Sequence, residues 1–502
     1  MPVFSGTFAD RTSDLVLGAT NDVAIPSREW RAQRDMRVIV SDVTEGTPAM
    51  RRAGKRYLPQ EKGEFNSEYQ DRLIRSTFFN GYKKTINSLT GKPFSRPISF
   101  KDDPPELEEW QNDIDLEGNS IDVFAKNTFF WALADGIRFI LVDFPTIKRG
   151  LEDPSLRARQ AAEQPPVNRP PTLFEEREMN IRPYMVDIDS RDIIGWKWQT
   201  IQGRQVVTQV RILERATRPD PKNRFEDELV ERIRVLERGS FEIWERQENE
   251  GDFEIVDRGL MAIDVIPLVP VYTNRTGFFM GKPRLSDLLF MNIQHWQKDS
   301  DQSNLVHIAH VPILYGAGFK KGSGDLDEIG GKRSIVNENP DAKLSFTEHS
   351  GAAIGAGKED IEMLENRMRI EGMEMIAKKI SVTATEKSID AREHQSDLAS
   401  LVSDYEDALQ TARRLMLRWG KKDPNSAGEL EMFKDFSVGD RDIAELQTLL
   451  ASRVAGEISQ ERYLMELQRR GVLSDSMDID EEIERTQQDA VPTIPFQSAD
   501  VG

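Results

Sequence analysis

Apolar residues in the first third of the chain recur at helical spacing and then form one continuous run. Across residues 67–89 they fall mostly three and four positions apart, which predicts a helix with one buried face, ended by Gly91. A second helix is predicted over 120–134. The apolar run IRFILVDFP that follows (137–145) predicts a buried strand closed by its proline.

Short alternating runs fill the middle of the chain. Residues 146–183 are rich in Arg, Glu, Gln and Pro and predict an exposed excursion without regular structure. The runs between 182 and 260 alternate apolar and polar positions and are separated by Gly or by polar stretches. This pattern predicts an antiparallel meander with one solvent-facing side, and the run IPLVPVY (266–272) ends it.

The second half of the chain predicts helices around a small β unit. Residues 285–310 and 359–379 have helical patterns and flank a Gly-rich segment (316–357) with the strand-like runs VPILY and RSIVN. The clearest helix begins at Asp390, which can form a capping box with Glu393, and ends before Gly420. Its length of about 45 Å is unusual for a globular protein.

The end of the chain predicts a strand, two helices and a tail. The run ELEMFKDF (429–436) indicates a returning strand, and the two helices after it are divided by Gly456, with Ser459 as the second N-cap. The acidic stretch DSMDIDEEIER lies in a tail that we expect to be mobile. Helices mixed with antiparallel strands indicate the α+β fold class.

Length and charge narrow the classes of function. With 502 residues the chain exceeds the roughly 250–300 at which one hydrophobic core stops growing, so several packing units are expected. Lys and Arg number 67 against 86 Asp and Glu, and the net charge of −19 excludes tight nucleic-acid binding through the overall field of the protein. The absence of cysteine excludes disulfides, thiolate zinc sites and cysteine nucleophiles. No run approaches the ~18 apolar residues of a membrane helix.

Two candidate sites for chemistry are not supported by the sequence. The segment GAAIGAGK is similar to a phosphate-binding loop, but the position of the first glycine falls on Ala352, and Glu359 stands where a magnesium-binding Ser or Thr is needed. We interpret it as a flexible passage into a helix. His295, His307 and His310 share one predicted helix, yet the sequence fixes no carboxylate beside them, so no metal site is predicted.

Six segments, in this order, lie between residues 56 and 473 and carry a resemblance to a known family. They are RYLPQEKGEFNSEYQDRLIRSTFFNGYKKTINSLTGKPF, GIRFILVDFP, IRPYMVDIDSRDIIGWKW, IPLVPVYTNRTG, LLFMNIQHWQKDSDQSNLVHIAHVPILY and GEISQERYLMELQRRGVL. Together they resemble the portal proteins, or head-to-tail connectors, of tailed bacteriophages. The resemblance is closest to a branch catalogued as an uncharacterised domain family.

The resemblance implies a dodecameric ring at one capsid vertex, through which double-stranded DNA is packaged and later ejected. It implies the following boundaries: 1–29 for an N-terminal arm, 30–283 for the wing with its excursion 146–183, 284–310 for stem helix 1, 311–356 for the clip, 357–379 for stem helix 2, 380–389 for the tunnel loop, 390–437 for the long helix and the completion of the wing, 438–473 for the crown and 474–502 for the acidic tail.

Site residues follow from the same resemblance. The tunnel loop beside the DNA would present Ser381, Thr383, Thr385 and Lys387. The clip, which faces the terminase and later the neck proteins, would present Lys320, Lys321, Lys332 and Arg333, and the stem Lys378 and Lys379. Taken alone, each basic pair is an ordinary solvated surface charge.

The expected partners are those of a virion component. They are eleven further copies of the chain in a homododecamer, double-stranded DNA in the channel, the large subunit of terminase, head-completion or neck adaptor proteins, and the major capsid and scaffolding proteins, with no membrane. The expected location is the portal vertex of the virion, after assembly in the cytoplasm of the bacterial host. No cofactor, metal or catalytic residue is expected, because the family leaves ATP hydrolysis to a separate terminase.

Two other classes of protein stay open. One is a nucleotide-dependent or hydrolytic enzyme with an unrecognised site, for which ATPase activity lost on Lys358→Ala would be the sign. The other is a different virion structural protein, such as a capsid or neck protein, which would form shells or rings of another size.

Overall fold

The computed structural model describes residues 22–145, 181–219, 223, 225–246, 252–309, 313–317, 343–347, 352–371, 384–434, 443–469, 472, 473, 477 and 479–488. The chain divides into two compact units. The first contains Met1–Ile380 and Ser403–Met432, and the second contains Ser381–Val402 and Phe433–Gly502.

The first unit begins with helices that lie inside the predicted wing. They are α1 (Arg28–Glu45), α2 (Thr47–Ala53), α3 (Asn66–Arg75), α4 (Gly81–Gly91), α5 (Pro105–Trp110) and α6 (Ile121–Asp135). The helix predicted over 120–134 is confirmed as α6, and Gly136 ends it in the left-handed conformation at φ 84°.

The single helix predicted over 67–89 is wrong, because the structure has two helices there. Ser76 is extended and its hydroxyl donates to the carbonyl of Leu73, which ends α3. The side chain of Asn80 accepts from the amide of Lys83 and begins α4. Apolar spacing could not reveal this break, since Phe78 within it is also buried, with its ring edge-on to Trp296.

Two antiparallel sheets follow the helices. The smaller has the order β3-β2-β9, with β2 (Ile137–Asp143) central between β3 (Tyr184–Ile188) and β9 (Leu268–Tyr272). The buried strand predicted over 137–145 is thus confirmed. In register, Ile140 of β2 lies opposite Asp187 on one side and Val269 on the other.

The larger sheet is the predicted meander, with the order β4-β5-β6-β7-β8. Its strands are β4 (Ile193–Ile201), β5 (Arg204–Pro219), β6 (Asp227–Glu237), β7 (Ser240–Arg246) and β8 (Phe253–Leu260). The prediction that RPYMVDI and IPLVPVY belong to this meander is wrong, because they form β3 and β9 beside β2. Local alternation predicts a strand but not which sheet it joins.

Two cores stabilise this part of the first unit. One fills the space between the two sheets and includes Phe139, Ile212 and Leu236. The other lies on the opposite side of the meander, where Trp30 at the start of α1 packs with Leu213 and Ile233. Burial of such aromatic and branched side chains contributes the largest favourable term to folding.

The second half of the first unit contains the predicted helix–β–helix order. Its elements are α7 (Ser286–Ala309), β12 (Ile313–Ala317), β13 (Lys343–Thr347) and α8 (Ala352–Glu371), preceded by the short strands β10 (Arg275–Gly277) and β11 (Met280–Gly281). The flexible Gly-rich passage predicted up to Lys358 is wrong from Ala352 onwards, because those residues are helical. The alanines and the charged run that follows them outweigh the glycines.

The long helix α9 (Ala384–Trp419) begins six residues before the predicted Asp390, so the predicted capping box is wrong. The strong helix formers Ala384, Glu386 and Lys387 extend it. Residues 384–389, expected in a tunnel loop, are therefore helical. In the first unit, the hydroxyl of Tyr405 donates to the carbonyl of Ala125 at 2.9 Å.

Among the described residues, the last part of the chain contains a short strand and three helices. The predicted strand is confirmed for β14 (Glu429–Glu431), which pairs with β1 (Ser99–Lys101). In the second unit, α10 (Ile443–Val454) and α11 (Gln460–Arg469) confirm the two predicted helices, and Ser459 caps α11. The tail, for which no element was predicted, has the helix α12 (Ile479–Gln488). Among the described residues, no helix combines the length and the apolar character needed to cross a bilayer.

Candidate functional site

Helices α7 and α8 pack against each other, and the paired strands β12 and β13 lie between them in the sequence. His295 Nε2 lies 3.2 Å from Glu365 Oε1, and Lys298 Nζ lies 2.6 Å from Asp360 Oδ2. One turn further along α7, the Gln302 side chain donates to the carbonyl of Ile354 at 2.8 Å. Because partner numbers fall in α8 as they rise in α7, the helices are antiparallel. Strands β12 and β13 are also antiparallel, with Tyr315 opposite Ser345.

A glycine allows the close approach of the two helices. A Cβ placed on Gly357 would overlap the amide end of the Gln302 side chain. Further along α8, Leu364 and Met368 are buried on the side that faces α7. The pair therefore has an apolar seam with polar contacts beside it, which is a usual design for antiparallel helices.

Helix α7 is held firmly by the helices at the start of the chain. The Asn292 side chain accepts from the amide of Tyr82 at 2.8 Å and donates to the carbonyl of Phe79 at 2.6 Å. Gln297 donates to the carbonyl of Tyr57 at 2.6 Å. A buried Asn with both ends satisfied fixes the position of a helix, because a shift would leave polar atoms unpaired.

Arg72 connects α3 to α7. Its guanidinium contacts Glu64 at 2.8 Å and Asp301 at 3.1 Å, and is itself almost completely buried. The hydrogen bond from Arg72 lowers the pKa of Glu64. Burial raises the pKa of Asp301, although Arg72 opposes this effect.

A second group of charges, the junction cluster, lies where α1, α6 and the two sheets meet. Its members are Arg37, Asp135, Arg138, Asp187, Asp189, Arg191 and Asp192. Arg138 binds Asp187 at 2.7 Å and Asp189 at 2.9 Å, and Arg37 donates to the carbonyl of Ser190 at 2.5 Å. These contacts pair two of the buried carboxylates, Asp187 and Asp189, with Arg138 and connect α1 to the loop after β3.

The burial of the junction cluster moves its pKa values apart. Burial and the nearby Asp189 raise the pKa of Asp135 to about 6, and the same two causes raise the pKa of Asp192 to about 6. Burial alone would also raise the pKa of Asp189, but Arg191 and Arg138 lower it well below its usual range. Burial lowers the pKa of Arg37 to about 10.

Most predicted site residues cannot be placed relative to these contacts. Lys320, Lys321, Lys332, Arg333, Lys378, Lys379, Ser381 and Thr383 lie outside the described residues. Thr385 and Lys387 lie in the first turn of α9. Of the candidates that were rejected, Lys358 is exposed on α8 beside Glu362, and His295 faces Glu365. Within the described ranges, no group of three or more His, Asp or Glu side chains is suited to hold a metal ion.

Sequence reasoning missed Asn292, Arg72 and the junction cluster. The sequence signal for Asn292 is its place as a polar residue within an apolar stripe, between Leu289 and Trp296. The members of the junction cluster are spread from Arg37 to Asp192, and no local pattern connects them.

Comparisons with known proteins give three findings. Residues 284–420, less than a third of the chain, match a family described as a domain of unknown function (DUF4055). No curated protein matches the chain.

Two solved structures are similar to it at low identity. A chain in the virion of a native gene transfer agent particle has a TM-score of 0.34 and 10% identity, with 83% of this chain and 98% of that chain covered. A chain in the neck of an empty gene transfer agent particle has a TM-score of 0.36 and 10% identity, with 76% and 88% covered. Neither the overall fold nor the function of the chain follows from likenesses this distant.

Proposed function

We propose that this chain is the portal protein of a tailed phage or phage-like particle, a virion component that forms a dodecameric channel for double-stranded DNA at one vertex. The observation that carries the proposal is the antiparallel pair α7–α8, with the paired strands β12 and β13 between the two helices in the sequence. In the six-segment resemblance this element corresponds to the stem and clip of a portal, and the long helix α9 follows it in the expected order.

The charge of the chain supports a channel that does not hold DNA. Each phosphate neutralised by a fixed Lys or Arg adds affinity through counterion release, and therefore drag on a moving duplex. Helices α7 and α8 together have eight Asp and Glu against four Lys and Arg. Twelve copies of a chain with charge −19 have a formal charge of −228, so contacts between subunits must outweigh repulsion and depend on salt.

The finer assignments belong to the same proposal. Ser381, Thr383, Thr385 and Lys387 would lie near the DNA at the start of α9, and the stem would continue to Lys378 and Lys379. The clip residues Lys320, Lys321, Lys332 and Arg333 would face the terminase large subunit during packaging and adaptor proteins afterwards. The outer wing would contact the major capsid and scaffolding proteins. No cofactor is required, because the portal would have no catalysis of its own.

Labelling of assembled particles tests the proposal. A tagged chain should be detected at a single vertex of each particle, and its removal should give particles without packaged DNA. Label distributed over the whole shell would indicate a capsid protein instead. ATPase activity of the pure protein that disappears on Lys358→Ala would indicate an enzyme.

The tunnel assignment has its own test. Replacement of residues 381–387 by a Gly-Ser linker of equal length is expected to reduce packaged DNA while particles and rings still assemble. The same replacement in the tail, at residues 489–495, serves as the control. Unchanged packaging with the first replacement would contradict the assignment of these residues.

A further inference from the structure

Helix α9 has a polar edge beside its buried apolar stripe. Glu406, Gln410 and Arg413 follow each other at intervals of four and three residues, so they lie on one side of the helix. The amide of Met432 donates to Glu406 at 2.6 Å, and Gln410 and Arg413 both donate to the carbonyl of Gly428. The polar edge therefore holds α9 to the paired strands β1 and β14, which we call the β1–β14 ribbon.

A buried ion pair lies in the middle of this contact. Arg413 binds Asp103, which follows β1, and the two side chains are 1% and 2% exposed. The second carboxylate oxygen of Asp103 accepts from Gln111. The guanidinium carbon of Arg413 lies 4.9 Å from the centre of the Phe100 ring. Burial lowers the pKa of Arg413, although Asp103 opposes this effect. Each of the two charges therefore needs the other.

The ribbon is tightly built where it meets Arg413. A Cβ placed on Gly428 would overlap the carbonyl oxygen of Lys101, and Asp102 has a left-handed φ of 57°. In register, Lys101 lies opposite Glu429. This close approach of the two strands fixes the place at which Asp103 is presented to α9.

The apolar stripe of α9 specifies the axial position of the helix less sharply than the ion pair does. Tyr405, Leu409 and Leu417 are fully buried and stand at one-turn intervals from Arg413. A displacement of one turn would bring Leu409 or Leu417 to the place of Arg413. Apolar burial has no direction and would be largely kept, whereas Asp103 would be left buried without its partner.

We propose that the ion pair of Arg413 and Asp103 is a register lock, which sets the position of α9 along its axis against the β1–β14 ribbon. A buried ion pair adds little net stability compared with apolar residues of similar volume. It is strongly unfavourable, however, in any arrangement that separates the two charges. Such a group specifies one register, as a single buried Asn does in a coiled coil.

The lock has a consequence for the start of the helix. Because α9 is one continuous helix from Ala384 to Trp419, its axial position at Arg413 is also that of its first turn, which contains Thr385 and Lys387. In this consequence alone the inference rests on the proposed function, which assigns that turn to the vicinity of the DNA.

Distances between two spin labels test the lock, because the chain has no cysteine of its own. Val123→Cys and Arg414→Cys place labels at exposed sites of α6 and α9. Since Tyr405 contacts Ala125, the line between the two labels runs largely along α9. Full-length labelled protein is mixed with an excess of unlabelled protein and measured by double electron–electron resonance. We expect one narrow distance distribution.

The variant Asp103→Leu/Arg413→Met removes the lock and leaves apolar side chains in its place. In the labelled protein, we expect the distribution to broaden or to gain a component displaced by up to about 5 Å, one helical turn. The midpoint of urea denaturation should stay within about 0.3 M of that of the protein with the lock. Arg413→Met alone should lower the midpoint by about 1 M, because Asp103 then stays buried without its arginine.

Two controls isolate the ion pair. Leu417→Met changes the same stripe one turn away and leaves the pair intact, so its distribution should stay narrow. Labels on Val123→Cys/Leu260→Cys, neither of which lies on α9, detect a general loosening of the protein. Their distribution should be the same with and without the lock.

The outcomes separate this inference from the proposed function. An unchanged narrow distribution in Asp103→Leu/Arg413→Met would overturn the lock. A fall in its urea midpoint as large as that of Arg413→Met alone would also overturn it, since the pair would then be kept for stability. Both results would leave the portal proposal standing. A broadened distribution in a protein that is absent from the particle vertex would support the lock and contradict the portal proposal.

Discussion

The junction cluster and the α7–α8 pair both rely on opposite charges, but their surroundings differ. Arg138 and its partners Asp187 and Asp189 are 8%, 14% and 14% exposed. In the helix pair, Lys298 is 30% exposed and Asp360 is 50% exposed. The charged groups of the junction cluster are largely desolvated and are stabilised mainly by one another. Those of the helix pair stay partly hydrated.

This difference indicates two mechanical roles. A buried network of charges resists change, because moving one partner leaves another uncompensated. Half-exposed pairs can separate and find water at little cost. The sheet junction should therefore behave as a rigid base, and the helix pair as an element whose two helices can adjust.

The largest expected effect is on the junction cluster. Arg138→Met leaves the buried carboxylate of Asp187 without its arginine partner and removes one of the two arginines that bind Asp189, so the free energy of unfolding should fall by about 3–5 kcal/mol. Urea denaturation followed by tryptophan fluorescence measures it. A loss below about 1 kcal/mol would mean that the cluster is no more tightly coupled than a surface pair.

Gly136 and Gly357 are expected to differ in how much stability is lost when each is replaced by alanine. Gly136→Ala should destabilise the protein by about 2–4 kcal/mol, because φ is 84° and the new Cβ would meet the backbone of Lys282. Gly357→Ala should stay within about 1 kcal/mol of the wild type, because the helix gains stability while the flexible Gln302 side chain only loses a hydrogen bond. Thermal unfolding of both variants checks the order, and a larger loss for Gly357→Ala would reverse it.

The pH dependence of stability tests the junction cluster more finely. The pKa of Asp135 is raised from 3.8 to about 6 in the folded protein. The folded state therefore keeps a proton that the unfolded chain releases, so this group's contribution falls as pH rises from about 4 to 6 and then stays low. Asp135→Asn should raise the free energy of unfolding by about 1–3 kcal/mol near pH 7.5, with little gain near pH 4.

Urea denaturation of the wild type and Asp135→Asn at the two pH values supplies this comparison. An equal change at both values would show that ionisation of Asp135 does not affect stability. Ser190→Ala is a useful companion, because it removes the hydroxyl that donates to Asp135 at 3.5 Å and keeps the carboxylate.

The smallest effect is expected in the helix pair. Lys298→Ala should lower the free energy of unfolding by less than about 1 kcal/mol, because the ion pair with Asp360 is largely solvated. A double-mutant cycle with Asp360→Asn isolates the pair from other contacts. A coupling energy above about 2 kcal/mol would contradict the contrast between the two regions.

The sequence could predict elements whose pattern is continuous and local. The apolar run of β2, the helix ended by Gly136 and the alternation of β4–β8 each follow from their own residues. The division of residues 67–89 into α3 and α4 did not, because Phe78 continues the apolar spacing through the break. Nor could the start of α9 be placed, since helix formers precede the expected cap at Asp390.

The contacts of the candidate site were less accessible to sequence reasoning. The helix–β–helix order was predicted, because each helix has its own periodicity. The contact of Asn292 with Phe79 and Tyr82 depends on how α7 packs against α4. The pairing of Arg138 with Asp187 depends on the register of β2 and β3, which tertiary packing fixes rather than local pattern.

The central claim is that this chain assembles into a closed ring, and native mass determination with negative-stain images of the same fractions tests it most directly. The account predicts a species near 688 kDa for twelve copies of 57.3 kDa, seen as a ring with an axial hole and weakened at high salt. Compact shells, or a closed oligomer without an axial hole, would contradict it.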